Sequence, residues 1–275
     1  MTAAPWETAP PEMLVLEPTN RCNLSCVFCC SRSQARPLGD MDPALAGRLV
    51  AEAAALGCRE LLATGYGEPT LAPDALGAAL RAARALGLRS TIYANGTGLP
   101  PVCPDRVIWS LDYDSPDLAA AIRPGLDFER VRHNVEAYWR ACGDRSRVTV
   151  QAVRCRENRD HVPAILDYWR PWCHDVAVEN EIPLARPEAE PYPLSADYAC
   201  RRLWTQITVL WDGRVTPCCC DTDGREVLGD ATREPLRAIR EGAAMAALRE
   251  RVKARRWEGV CASCGFRYSE TRGRT

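Results

Sequence analysis

A chain of 275 residues has room for one large α/β domain, or for such a domain with a small appendage. Its formal net charge of −1 gives no reason to expect a polyanion, so nucleic acid is set aside as a partner. No apolar run approaches the roughly 20 residues that span a bilayer. The opening MTAAPWETAPPEM lacks the basic start and apolar centre of a signal peptide, so the expectation is a cytoplasmic protein with no membrane partner. Fifteen cysteines are then unexpected, because a reducing compartment does not keep disulfides; metal, catalysis or burial must account for them.

In chain order, short β-like runs fall at Leu14–Glu17, Glu60–Thr64, Arg89–Tyr93, Val107–Leu111, Val148–Val153 and Asp175–Glu179. Helix patterns lie between several of them. Asp42 followed by Pro43 reads as an N-cap with proline in the first turn, and Gly57 closes that helix. Asp74 to Gly87, Asp127 to Ala141 and Asp160 to Trp169 read as three more. Strands alternating with helices imply parallel pairing through right-handed crossovers. Six such units make a partial (β/α)6 TIM-like barrel rather than the closed barrel of eight. Four prolines between Glu181 and Tyr198 then read as a linker. Beyond them, Gln206–Trp211 and Arg214–Thr216 flank Asp212-Gly213, a two-residue hairpin signal, and one helix is expected from about Pro235 to Arg256. The division expected is 1–182 for the barrel and 183–275 for a small cysteine-rich domain.

The segment EPTNRCNLSCVFCCSR follows the first strand, at the end where α/β barrels keep their chemistry. Cys22, Cys26 and Cys29 have three and then two residues between them, a spacing that wraps three thiolates around one iron–sulfur cube. With no fourth ligand in the loop, one iron stays open to an outside ligand. Here the chain resembles the radical S-adenosylmethionine (SAM) superfamily, whose CxxxCxxC loop has an aromatic before the last cysteine, as Phe28 does. The resemblance implies a [4Fe–4S] cluster whose open iron chelates S-adenosylmethionine. Reductive cleavage there releases a 5′-deoxyadenosyl radical that abstracts hydrogen from substrate.

Later loops extend the resemblance in order. Gly65-Tyr66-Gly67-Glu68-Pro69 resembles the family's GGEP-type motif, with Tyr66 in place of the usual glycine; Gly65, Gly67 and Glu68 would hold the methionyl ammonium. Asn95, after the third strand, resembles the loop that contacts the nucleoside, and Ser110 and Asp112 resemble the SLD-type end of the fourth. Arg154, just past the fifth, is a further candidate for SAM or substrate contact.

Cys200, twelve residues, Gly213, four residues and Cys218, then Cys261 and Cys264, resemble the SPASM/Twitch extensions of that superfamily. No cysteine follows Cys264, which fits the shorter Twitch form with one auxiliary [4Fe–4S] cluster held by Cys200, Cys218, Cys261 and Cys264. A four-cysteine zinc site is the competing reading of the same ligands. Cys219 and Cys220 leave the register of the Cys218 position ambiguous. Cys220 and Cys30 are also candidate hydrogen donors should the reaction be an epimerisation.

The function expected is dehydrogenation or epimerisation of a sugar, aminocyclitol or aminoglycoside-like small molecule in natural-product biosynthesis, with electrons from a flavodoxin- or ferredoxin-type donor. The alternatives are modification of a ribosomally made peptide and, remotely, a non-catalytic zinc-binding module. Peptide-modifying members often carry an N-terminal leader-peptide domain, for which Cys22 lies too near the start.

Overall fold

The computed structural model describes residues 5–181, 200–262 and 264. A short helix, α1 (Pro5–Thr8), precedes strand β1 (Met13–Leu16). Five further parallel strands follow: β2 (Glu60–Ala63), β3 (Arg89–Ala94), β4 (Arg106–Ser110), β5 (Val148–Arg154) and β6 (Asp175–Asn180). Each pairs with its predecessor, from Met13↔Glu60 through Thr149↔Asp175. The connecting helices are α2 (Pro43–Ala55), α3 (Pro73–Leu86), α4 (Pro116–Ile122), α5 (Phe128–Ala141) and α6 (Val162–Trp169). The partial barrel expected from the sequence is the architecture found.

Local signals explain these boundaries. Asp42 caps α2 by accepting from the Leu45 N–H at 2.9 Å, and Gly57 leaves the helix at φ +101°, where a Cβ is disfavoured. Helix α4 was not expected. Its signal is Ser115-Pro116, a cap whose hydroxyl accepts from Leu118 N–H, with proline in the first turn.

Alternation along the strands sorts side chains into two faces. Leu14, Leu16, Ile92, Trp109, Val150 and Ala152 enter the core against the helices. Residues of opposite parity, among them Glu17, Thr91, Tyr93, Ser110 and Gln151, stand on the concave face. That face mixes these polar groups with Val15, Leu62, Ile108 and Val153, while the helix-covered face is almost wholly apolar.

The C-terminal region joins this same sheet. After α7 (Arg202–Thr205), strand β7 (Gln206–Val209) pairs in parallel with β1, Met13↔Gln206 through Leu16↔Val209. Strand β8 (Arg214–Thr216) folds back antiparallel through Gly213 at φ +89°, and β9 (Gly229–Asp230) completes the edge. The sheet order is therefore β6-β5-β4-β3-β2-β1-β7-β8-β9. The single helix expected near the end is two, α8 (Leu236–Glu241) and α9 (Ala243–Lys253), broken at Gly242. That residue is extended at ψ 165°, and it caps the second helix while ending the first. The proline-rich linker lies outside the described residues. Among the described residues no helix is long and apolar enough to cross a membrane.

Candidate functional site

The loop after β1 is closed on itself by polar contacts. Fully buried Asn20 donates to Gln34 Oε1 at 3.1 Å and to the Pro37 carbonyl at 2.9 Å, and accepts from Gly39 N–H at 2.9 Å. Within this frame Cys26 is buried, Cys29 half-buried and Cys22 exposed. The Cys29 N–H donates to the Cys26 carbonyl at 3.1 Å, and Val27 N–H is tied to Ile122 of α4 at 2.9 Å. Burial pushes the Cys26 thiol up to about 11; the Arg123 guanidinium pulls the other way, and the neighbouring Cys29 and Cys22 add to the rise. The three sulfurs thus share one electrostatic neighbourhood. Raised thiols of this kind are protonated without metal and lose their protons on binding it. Cys30 begins the next turn, its thiol pushed up to about 11 by burial.

The glycine loop after β2 sits directly against this one. A Cβ at Gly67 would meet the Thr19 carbonyl oxygen at 2.3 Å and the Arg21 carbonyl oxygen at 2.7 Å, both backbone, so no other residue fits. Gly65, at φ +159°, lies over the Glu17 side chain, which a Cβ would meet at 2.6 Å. Glu68 is buried and its carboxylate is already engaged: Oε1 accepts from the Thr70 hydroxyl at 2.6 Å and Oε2 from Asn95 N–H at 2.8 Å. It therefore locks the second and third loops together. Asn95 in turn donates to Asn23 of the cysteine loop at 3.1 Å and accepts from Thr97. Tyr66, the departure from the usual glycine, donates its hydroxyl to the Cys219 carbonyl.

Beneath the cysteine loop, Asp112 accepts from Arg123 Nε at 2.8 Å and Nη2 at 2.5 Å, and from Val153 N–H at 2.6 Å. Both side chains are buried, and the guanidinium lies 5.7 Å from the Phe28 ring centroid. Burial opposes the Arg123 charge, but Asp112 and Cys26 more than restore it, so its pKa is raised. A fixed cation thus stands beside the cysteine loop, where a thiolate-rich group needs one. Sequence reasoning missed Arg123 because its helix went unrecognised. It also missed the buried pair of Glu17 and Arg36, bidentate at 2.7 and 2.8 Å, with Arg36 reaching on to the Thr222 carbonyl at 2.7 Å.

Ser110 ends β4 on the concave face, half-buried. Arg154 departs from expectation. It shares parity with Val150 and Ala152, so it lines an outer groove with Arg159, Val162, Leu166, Arg170 and Val178, on the helix side of the sheet. Asn158, also considered after β5, is a buried staple that donates to the Asp112 and Val153 carbonyls.

The second set of cysteines converges from three segments. Cys200, Cys218, Cys220, Cys261 and Cys264 ring one small cavity whose remaining wall is mostly apolar, including Leu203 and Trp257, with Arg202 as its one charged residue. The hairpin accounts for this, since it returns Cys218 towards Cys200 before α8 and α9 bring the CxxC pair back. Among the described residues no three potential ligands close on a single point as they would around one ion. Thiolates of a cube bind different irons and stand correspondingly farther apart. The cysteine-lined, mostly apolar cavity fits such a cluster, and the N-terminal loop with its adjacent cation fits another. The neighbouring thiols of Cys218, Cys219 and Cys264 raise the Cys220 pKa, whereas Cys220 lowers that of Cys219.

Comparison with known proteins bears on both sets. The pattern of the Radical SAM superfamily matches residues 16–168, and that of the SPASM iron–sulfur cluster-binding domain matches residues 200–265. No curated protein matches. Among solved structures, SuiB of Streptococcus suis bound to precursor peptide SuiA is 17% identical with TM-score 0.69; the match spans 87% of this chain and 66% of SuiB, just under two thirds. BtrN in complex with AdoMet and 2-DOIA is 19% identical with TM-score 0.59, and the match covers 92% of each chain. The anSMEcpe structure with AdoMet is 16% identical with TM-score 0.64, covering 86% of this chain and 79% of the other.

Proposed function

Because this chain belongs to the radical SAM superfamily, with an auxiliary iron–sulfur domain, we propose that it oxidises a carbinol carbon of a small, polar, hydroxyl-bearing substrate. In this reading Cys22, Cys26 and Cys29 hold the SAM-binding cluster. Cys200, Cys261, Cys264 and a thiol of the Cys218–Cys220 run hold the auxiliary one. The functional division follows residues 1–182 and 183–275. Bound there, the cofactors would supply hydrogen-atom abstraction and an acceptor for the second electron of carbinol oxidation, while the hydroxyl proton would pass to a base or to water.

The chain's own residues do the orienting. Gly65 and Gly67 let backbone approach the methionyl end, while Glu68 and Asn95 hold the two loops in register. Arg123 keeps a positive charge beside the cysteine loop. The observation that carries the substrate class is the concave face, where Thr91, Tyr93, Ser110 and Gln151 offer hydrogen-bonding groups among apolar neighbours such as Ile108 and Val153. Burial first, and the Glu179 charge second, raise the Tyr93 phenol. Such a surface suits hydroxyl and ammonium groups. Support also comes from the layout of BtrN, whose structure holds 2-DOIA and matches this chain over 92% of both.

In this reading Cys220, which lines the auxiliary cavity, serves that cluster rather than a substrate radical, and dehydrogenation is preferred to epimerisation. Cys30 stays as the alternative donor. A flavodoxin- or ferredoxin-type protein would reduce the first cluster. The second reading is peptide modification, favoured by the likeness to SuiB, solved with a precursor peptide.

The test is anaerobic reconstitution, reduction, and incubation with SAM and a panel of aminocyclitols, sugars and short peptides. We expect 5′-deoxyadenosine and a carbonyl product, one per SAM, from an amino-polyol. Turnover of peptides alone would overturn the substrate class. Zinc without sulfide, and no 5′-deoxyadenosine, would overturn the enzymatic reading.

A further inference from the structure

The auxiliary site contains more thiols than a cluster can use. A fully ligated [4Fe–4S] cube takes four thiolates, one per iron, yet five cysteines line the cavity. Cys200, Cys261 and Cys264 each arrive alone on their side of it, or as a CxxC pair. The surplus lies in one turn, Cys218-Cys219-Cys220-Asp221.

That turn is rigidly built. Asp221 N–H donates to the Cys218 carbonyl at 3.1 Å, and the buried Asp221 carboxylate accepts from Arg225 N–H and Glu226 N–H, both at 2.9 Å. On the barrel side, Tyr66 holds the Cys219 carbonyl. Arg36 holds the Thr222 carbonyl at 2.7 Å, and Ala35 N–H donates to Asp223 Oδ1 at 2.8 Å. Clamped from both sides, the turn presents alternate residues to the cavity: Cys218 and Cys220 line it, and Cys219 does not. The resulting arrangement is two thiols competing for one remaining iron.

We propose that Cys220 is an alternative ligand of the auxiliary cluster, exchanging with Cys218 on the same iron. This rests on the iron–sulfur reading above. In the exchange the Cys220 thiol gives its proton to water and forms a sulfur–iron bond. The Cys218–iron bond breaks and Cys218 takes up a proton. No electron moves, and the iron and sulfide count is unchanged.

The test uses the full chain with Cys22, Cys26 and Cys29 replaced by alanine, so that only auxiliary iron is counted, after anaerobic reconstitution. The parent is expected to hold about four irons and four sulfides. Cys218→Ala and Cys220→Ala singly should each retain most of that, Cys219→Ala all of it, and Cys218→Ala with Cys220→Ala should lose most of it. A Cys218→Ala or Cys220→Ala single variant as empty as the double would overturn the proposal. So would a double variant that stays full, because the ligand would then lie elsewhere. Zinc without sulfide in the parent would instead strike at the iron–sulfur reading, and the same series scored as zinc per chain would still decide whether the two thiols substitute for each other.

A second measurement needs no variant and hence no refolding. Iodoacetamide applied to the unaltered, loaded protein should alkylate Cys218 and Cys220 in comparable fractions, together about one equivalent, with Cys200, Cys261 and Cys264 protected. Label confined to one of the two means fixed ligation and sinks the exchange.

Discussion

The two cysteine-rich regions are built on opposite principles. The N-terminal set lies within eight consecutive residues of one loop, held by Asn20 and by the glycine loop pressed against it. The C-terminal set is gathered from Cys200, a hairpin turn and the chain after α9, and it closes only when all three are in position. A loop with fixed spacing carries its chemistry in local sequence. A site assembled at a distance carries it in topology.

That contrast can be broken in several ways. The largest effect is expected from Cys26→Ala: 5′-deoxyadenosine formation should vanish while the auxiliary iron remains, because the two sites share no ligand. Loss of both clusters in an iron assay would refute their independence. Next is Arg123→Ala, which strands the buried Asp112 carboxylate. Removing one partner of a buried pair costs roughly 3–5 kcal/mol, to be read by denaturant titration, with Arg123→Lys restoring part of it. An effect below about 1 kcal/mol would mean that water reaches the pair.

Tyr66→Phe is a smaller perturbation aimed at the contact between the two regions. Loss of its hydrogen bond to the Cys219 carbonyl should cost about 1 kcal/mol. It should also alter the electron paramagnetic resonance signal of the auxiliary cluster more than that of the SAM cluster. Equal change in both would show that the tyrosine acts on the glycine loop alone. A last effect concerns pH. Burial pushes the thiols of Cys58, Cys155 and Cys173, none of them a proposed ligand, up to about 12, 11 and 11. Their folded pKa values exceed the unfolded one, so the stability they contribute is complete below about pH 8.5 and is lost as pH rises towards 11. Melting temperature should be flat from pH 7 to 8.5 and fall beyond it. A fall on the acidic side of that window would assign the dependence to other groups.

Much of the barrel was legible because it rests on local signals. All six parallel strands lie within a residue or so of their apolar runs, and Asp42-Pro43 and Gly57 bound α2 as their chemistry dictates. What escaped depended on distance. Nothing near Gln206 indicates that it will pair with Met13, and nothing near Arg123 names Asp112 as its partner. Arg154 was misjudged because parity along a strand decides which face a side chain takes, and a one-residue step moves it from the concave face to the helix side. Gly242 lay inside an otherwise continuous helical pattern, where a single glycine is tolerated as often as it breaks. The ambiguity among Cys218, Cys219 and Cys220 came from reading spacing without the turn that divides them.

The pairing of β7 with β1 bears on how the protein is made. Strand β1 leaves the ribosome first and gains β2 early, but its other edge must wait for β7, after the whole barrel and the proline-rich segment have been synthesised. For that interval an apolar strand in the middle of the finished sheet is an open edge, able to recruit a strand from another chain. Contacts this far apart in sequence also close slowly. Yield of the folded protein should therefore respond to how quickly the last third of the chain follows the first.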